Sequence, residues 1–194
     1  MALFGTPNIK KLEKRKKVDK LLDLADHQYV AVRKEAAEAL GRLGDTQATT
    51  VLLKRLMKEH TKDVKDAIAE ALAKINDQAL IPQVQAMLMM MKSKDEYKFQ
   101  KENLIKVLDA FQDKSAVVPL VYLLDDVAYV GSRASNALLK RGTALIPFLK
   151  SLITAEGESF FGRGVTGPKI TYSLNKKIIG LLGQLGWKPE SEHE

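Results

Sequence analysis

The sequence predicts an all-α fold, an α-solenoid of about five helix–turn–helix pairs. The first observation is a 14-residue frame, V-R-K-E-A-A-E-A-L-G-R-L-G-D, whose apolar residues return at the spacing of one helix face. The second is that the frame, which occupies residues 32–45, returns in four later segments: 64–77, 100–113, 130–143 and 174–187. The third is that the segments between frames also resemble one another. Repeated helical units of unequal spacing are typical of a stacked array rather than of a coiled coil.

Each frame predicts the second helix of a pair. In the first copy, Val32, Ala36 and Leu40 lie on one side of a helix. Gly44 follows the helix and can adopt the left-handed backbone that ends one, and Asp45 can cap the next helix. We therefore expect a short turn after each frame.

The segments between frames predict the first helix of each pair. They read A-T-T-V-L-L, A-L-I-P-Q-V, A-V-V-P-L-V and A-L-I-P-F-L. The last three carry Pro82, Pro119 and Pro147 in one column. Proline is tolerated in the first turn of a helix, where the missing N–H would have no partner. The prolines therefore predict a fixed helix start in these pairs.

The two ends of the chain differ in charge from the repeats. Residues 1–17 contain six basic side chains and Glu13, and predict a short helix that starts with Thr6 as its cap and Pro7 in its first turn. We interpret this basic helix as the polar cap of the array, with a phosphate-binding arm or a localisation signal as alternatives. Residues 188–194 form an acidic tail. The repeat domain then covers residues 18–187.

The fifth pair contains an insertion, residues 154–169, with four glycines and a proline. Its G-R-G-V-T-G segment matches the glycine spacing of a dinucleotide-binding loop, but no strand precedes it, so we do not expect a nucleotide. Insertions in repeat arrays are often on the binding side. Phe160, Phe161 and Arg163 have the composition of an interface hot spot, and we predict that they contact a partner.

Composition excludes several classes of function. The chain has no cysteine, which excludes disulfides and thiolate catalysis. It has no apolar run long enough for a membrane span and no secretory signal, which is typical of a cytoplasmic protein. His27, His60 and His193 lack metal-ligand spacing, and no catalytic motif is found. We therefore expect no metal, no cofactor and no enzymatic activity.

The motif D-x-x-V-x-V-R-x-x-A-A-x-A-L-G-x-L-G-D at Asp26–Asp45, together with A-L-I-P-x-L in the first helices, resembles the short HEAT-like repeats of the phycobilisome-lyase type. The resemblance covers residues 18–186 and is poorest at 100–113, where the Val-Arg pair is missing. It implies that the second helices line a concave surface. It also implies bilin attachment or removal on phycobiliproteins as an alternative function.

The charge distribution predicts where a partner binds. The net charge is +7, and residues 127–189 hold nine basic side chains and two acidic ones. We expect five cations there to face few acids and to bind a partner: Arg133, Lys140, Arg141, Lys176 and Lys177. The predicted function is a non-catalytic scaffold whose concave, basic C-terminal surface binds a protein. A nucleic acid is the alternative partner, because such a surface also attracts phosphates.

Overall fold

The computed structural model describes residues 7–91, 94–111, 114–153 and 170–188, and within them it contains helices and no strand. The α-helices are α1 (Ile9–Lys14), α2 (Val18–Leu24), α3 (Val30–Leu43), α4 (Ala48–Lys58), α5 (Lys62–Ile75), α6 (Leu80–Met91), α7 (Lys98–Ala110), α8 (Val117–Tyr122), α9 (Ala128–Leu139), α10 (Ile146–Ile153) and α11 (Tyr172–Gln184). After α1 they form the five predicted pairs, and α3, α5, α7, α9 and α11 are the second helices. The prediction of an all-α fold of the α-solenoid class is confirmed.

The chain divides into two compact units. Unit 1 contains residues 1–84 and 110–112, and unit 2 contains residues 85–109 and 113–194. The helices of unit 1 are α1 to α5 with the start of α6, and α7 to α11 belong to unit 2. The single repeat domain over residues 18–187 stays a prediction.

A residue with a left-handed backbone follows the second helix in every copy of the frame that the structure describes at this position. The thirteenth frame residue has a positive φ, which is 67° at Gly44, 52° at Asn76, 70° at Gly142 and 87° at Gly186. Glycine and asparagine adopt this left-handed conformation most easily. They directly follow α3 and α5, where they end the helix, and lie in the turn two or three residues after the end of α9 and α11. The prediction for Gly44 is confirmed, and the same turn recurs in both units.

The prolines lie where their column predicts. Pro82 and Pro119 are the third residues of α6 and α8, and Pro147 is the second residue of α10. The predicted start of the N-terminal helix is wrong, because Pro7 precedes the helix and α1 begins at Ile9. Asn8 is the cap, and its side-chain oxygen accepts a hydrogen bond from Lys11 N at 2.9 Å.

In unit 1, α3 and α5 pack against each other at very short range. A Cβ atom on Gly41 would lie 2.7 Å from the Cα atom of Ala71, so only glycine fits at this point. Ala36, Leu40 and Leu72 are fully buried around the contact. Small residues at the crossing thus let the two second helices share one core.

A buried ion pair joins consecutive helix pairs in unit 1. Arg33, the second residue of its frame, donates two hydrogen bonds to the carboxylate of Glu59, at 2.8 and 3.1 Å. Its Nη1 also donates to the carbonyls of His27 and Gln28. Glu59 precedes α5, so the pair connects α3 to the turn that begins the next second helix.

Unit 2 contains a corresponding pair on the second residue of its own frame. Lys101 is fully buried in α7, and its Nζ donates to Asp126 Oδ1 at 2.7 Å. Asp126 precedes α9 and accepts from Val127 N at 2.7 Å, so it caps the turn before that helix. On the other side of the same turn, a Cβ atom on Gly131 would lie 2.8 Å from the carbonyl oxygen of Leu124.

Candidate functional site

Five of the predicted site residues lie in the described part of unit 2. Arg133 is on α9, Lys140 and Arg141 follow its end, and Lys176 and Lys177 are on α11. All but Arg141 are exposed. Phe160, Phe161 and Arg163 lie outside the described residues, so their predicted contribution stays a prediction.

The expectation that these cations face few acids is wrong for Arg133, Lys140 and Lys177. Lys140 forms an ion pair with Asp109, and Arg133 lies 3.5 Å from Glu102. Both acids are on α7, in the preceding frame. Because residues some thirty positions apart meet across neighbouring second helices, counting charges within residues 127–189 missed these partners.

The α11 cations differ from each other. Lys177 Nζ lies 3.2 Å from Asp125 Oδ1, which also accepts a hydrogen bond from Ser173 Oγ. Lys176 is exposed and has no ion pair with any residue that the structure describes. The surface of α7, α9 and α11 therefore carries alternating charges, with a modest positive excess.

Arg141 has a structural role inside unit 2. Its Nη2 donates to the carbonyl oxygen of Leu108 at 2.6 Å, and its side chain is half-buried. The last carbonyls of a helix lack partners within the helix, and a basic side chain can satisfy one of them. Arg141 thus caps the end of α7, and we leave it out of the candidate site.

A tyrosine and an arginine form an exposed pair on α9. Arg133 Nη2 donates to Tyr129 Oη at 2.9 Å, and the guanidinium carbon lies 5.2 Å from the ring centroid. The hydrogen bond to Tyr129 raises the pKa of Arg133 above its ordinary value. Tyr129 is 45% exposed. Tyrosine and arginine, together with tryptophan, are enriched in interface hot spots.

Exposed aromatic residues lie at the starts of all three second helices of unit 2. Phe99 on α7 is 62% exposed and Tyr172 on α11 is 75% exposed, in addition to Tyr129 on α9. None of the three is among the site residues predicted from the sequence. The sequence nevertheless indicated them, because each aromatic residue lies one or two positions before a frame. A helix start that only faces water would have a polar residue at this position.

Two grooves flank α9. The larger, between α9 and α11, has a volume of about 490 Å³, and the smaller, between α7 and α9, has a volume of about 210 Å³. Asn136 lines both grooves. The larger is lined by Leu124, Asp126, Gly131, Ser132, Ser135, Asn136, Lys177, Gly180, Leu181 and Gln184. The mixture of hydroxyl, amide and glycine backbone suits an extended peptide better than a compact apolar ligand.

Two titratable side chains outside the predicted site are Tyr122 in unit 2 and His27 in unit 1. Burial raises the pKa of Tyr122 to about 12, and the charge of Asp126 adds to the effect. A phenol that stays protonated at neutral pH is not a general base. His27 is also a turn residue, since its Nδ1 accepts a hydrogen bond from Tyr29 N at 3.2 Å.

The described residues lack two further features, a metal-binding cluster and a membrane-spanning helix. They contain no group of histidine, aspartate and glutamate side chains that could hold a metal ion. Each of their helices is too short or too polar to cross a bilayer.

Comparison with known proteins gives one family and no individual relative. Residues 18–99, from α2 into the first turn of α7, match the family model of HEAT repeats. No curated protein matches the chain. The likeness to the phycobilisome-lyase type stays a prediction. The described helix pairs and the match over residues 18–99 support a HEAT-like repeat protein.

Proposed function

We propose that this HEAT-like repeat protein is a non-catalytic scaffold that binds another protein through the exposed side of α7, α9 and α11. HEAT repeats commonly mediate protein interactions. Stacked helix pairs present extended surfaces of this kind rather than enclosed pockets. The observation that carries the proposal is the Tyr129–Arg133 pair, which is exposed on the helix between the two grooves.

The charges of this surface favour a protein over a nucleic acid. Arg133, Lys140 and Lys177 each have an acid within ion-pair distance. A phosphate backbone would meet Glu102, Asp109 and Asp125 as well as the cations, and like charges repel it. A protein can place its own acids and bases against an alternating pattern. Lys140, Lys176 and Lys177 would then bind the rim of the partner, and the pair on α9 its centre.

Affinity capture with matched variants tests the proposal. We compare the wild type with Tyr129→Ala/Arg133→Ala, and use Tyr29→Ala as the control, because Tyr29 is a 60% exposed aromatic residue in unit 1. A hot-spot pair costs about 2 kcal/mol or more when removed, which is roughly 30-fold in the dissociation constant. Partners recovered with the wild type and the control should be lost with the double variant.

Two results would contradict the proposal. Recovery of the same partners with the double variant would remove the α9 pair from the interface. If the partners lost with the double variant were also lost after nuclease treatment, the surface would be assigned to a nucleic acid instead. Bilin attachment or removal stays an alternative taken from the resemblance alone, and a visible absorbance change on mixing with a bilin tests it directly.

A further inference from the structure

Residues 10–17, here called the basic segment, are the most strongly charged stretch of the described chain. They comprise α1 after its first residue and the turn that leads to α2. Six of the eight residues are cations, and every one of the six is exposed: Lys10, Lys11, Lys14, Arg15, Lys16 and Lys17. The surface proposed as the protein-binding site is in unit 2, so this segment of unit 1 is an independent feature.

The segment is held in place by its few non-basic residues. Ile9, just before it, is 4% exposed and belongs to the core of unit 1, where α1 packs on α2 and α3. Glu13 accepts two hydrogen bonds from Arg42 of α3, at 2.7 and 3.0 Å. These contacts hold α1 against α2 and α3, so the cations have defined positions on the surface of unit 1.

The six cations of the basic segment have no acid of the described residues to pair with. Glu13 is the only acid in the segment, and its carboxylate is engaged by Arg42. None of the six cations forms an ion pair with a residue that the structure describes. This distinguishes the segment from the surface of α9 and α11, where three of the exposed cations are already paired.

The apolar side of α1 argues against a membrane as the partner. Helices that lie in a bilayer surface bury a continuous apolar face in the lipid. Ile9 is buried in unit 1 and Leu12 is partly buried, so α1 has no such face to offer. A lipid headgroup contact would have to rely on charge alone.

The composition of the segment argues against a protein as the partner. Five of the six cations are lysines, and residues 8–20 contain no aromatic residue. Lysine is depleted in protein interfaces, whose binding energy comes mainly from tyrosine, tryptophan and arginine. Lysine is a mobile point charge that suits phosphate groups. Lys10 and Lys14 are one helical turn apart, about 5–6 Å between Cβ atoms, so they can contact separate phosphates of one strand.

We propose that the basic segment binds the phosphodiester backbone of nucleic acid without reading its bases. The sign and density of its charge supply the affinity, and the segment has no aromatic side chain on which a base could stack. Up to six phosphate contacts give a log–log slope of affinity against salt of about −5 on duplex DNA. Affinity should fall about 1,000-fold between about 50 and 200 mM salt.

Fluorescence anisotropy with a labelled duplex oligonucleotide tests the inference. The test variant is Lys10→Gln/Lys14→Gln/Lys17→Gln, whose side chains are exposed and make no ion pair with described residues. The control is Lys54→Gln/Lys58→Gln/Lys74→Gln, which removes the same charge from exposed positions elsewhere in unit 1. The test variant should reduce the slope to about −3, and the control should leave it near −5. Circular dichroism checks that both variants are folded.

Three outcomes would overturn the inference. One is an equal slope for the test and control variants, which would show that the segment is not the site. Another is binding to phosphatidylserine vesicles without binding to the duplex, which would assign the segment to a membrane surface. The third is equal affinity for polyglutamate and for a duplex of the same charge, which would assign it to an acidic polypeptide. The Tyr129→Ala/Arg133→Ala variant should bind the duplex like the wild type, so this test is separate from that of the scaffold function.

Discussion

Both units connect one helix pair to the next with a buried ion pair, and they build it with different residues. In unit 1 the pair is Arg33 with Glu59, and in unit 2 it is Lys101 with Asp126. Both cations are the second residue of their frame, and both acids lie in the turn before the next second helix. The ion pair therefore has the same place in the frame in both units, although its residues differ.

The two pairs differ in how well the buried charges are satisfied. Glu59 accepts from Arg33, from Arg55 Nη2 and from the backbone N–H groups of His60 and Thr61. Asp126 accepts from Lys101 and Val127 N through Oδ1, and its Oδ2 has no hydrogen-bond partner among the described residues. An arginine fork can serve both oxygens of a carboxylate, whereas an ammonium group is a single point of charge. The unit 2 pair should therefore depend more strongly on its cation.

The largest effect is expected for Lys101→Met. Among the described residues, Lys101 is the only charged partner of the fully buried Asp126 carboxylate, and breaking such a pair costs about 3–5 kcal/mol. The matched change Arg33→Met should cost about 1–3 kcal/mol, because Glu59 keeps Arg55 and two backbone donors. Urea unfolding followed by circular dichroism measures both.

A rescue variant identifies the cause of that loss. Lys101→Met/Asp126→Asn should recover part of the stability, since a neutral amide needs no counter-charge and still accepts from Val127 N. If Lys101→Met cost less than Arg33→Met, the difference between the two pairs would be the reverse of what their hydrogen bonds indicate.

The next largest effect is the loss of stability of unit 1 at acidic pH, which we expect from Glu59. Burial raises the pKa of Glu59, but hydrogen bonds from Arg33, Thr61 N, Arg55 and His60 N outweigh it and lower the pKa from 4.5 to about 2. In the unfolded chain Glu59 binds a proton near its ordinary pKa, while the folded chain resists protonation until about pH 2. The stabilisation is thus present at neutral pH and is lost as the pH falls from about 5 to about 2. A shift of this size is worth roughly 3 kcal/mol.

Glu59→Gln provides the comparison. This variant should be less stable than the wild type at neutral pH and should approach it near pH 2, because its amide does not titrate. Urea unfolding at a series of pH values measures the difference in the free energy of unfolding. A gap between the two proteins that stayed constant from neutral to acidic pH would show that Glu59 does not titrate as proposed.

These pairs also show what sequence could and could not predict. Helices, turns and their order follow from local patterns, so the frame predicts α3, α5, α9 and α11 and the left-handed residue at Gly44. Partners across frames do not follow, because they depend on which side chains meet when helices stack. The frame at 100–113 resembles the others least, yet Lys101 has the place of Arg33. For the same reason the contacts of Glu102 and Asp109 could not be predicted from the sequence, and the cations of this surface were expected to face few acids.

A smaller effect is expected at two glycines where helices approach closely. A Cβ atom on Gly41 would contact Ala71 of α5, and one on Gly131 would contact the carbonyl of Leu124. Gly41→Ala and Gly131→Ala should each cost about 1–3 kcal/mol, since the backbone must shift to make room. Gly183→Ala is the control, because its site on α11 has no atom within 4 Å of the added Cβ. It should gain about 0.5–1 kcal/mol from the higher helix propensity of alanine.

The surroundings of Gly41 and Gly131 differ between the two units. In unit 1 the added Cβ meets a helix backbone, and in unit 2 it meets the turn that contains Asp126. If Gly131→Ala shifts this turn, it should also weaken the Lys101–Asp126 pair, and a cycle with Lys101→Met should show losses that are not additive. Additive losses would show that Gly131 and the ion pair act independently.

The smallest effect concerns a second, exposed ion pair that also occurs in both units. Arg42 binds Glu13 and Lys140 binds Asp109, and both cations are the eleventh residue of their frame. Both cations are at least half exposed, so Arg42→Gln and Lys140→Gln should each cost about 0–1 kcal/mol. The arginine pair has two hydrogen bonds and should be the stronger.

High salt should abolish both losses of stability but leave the loss in Lys101→Met nearly unchanged, because water and ions screen only exposed charges. A salt-insensitive loss at Lys140 would instead mean that its pair with Asp109 is shielded from solvent.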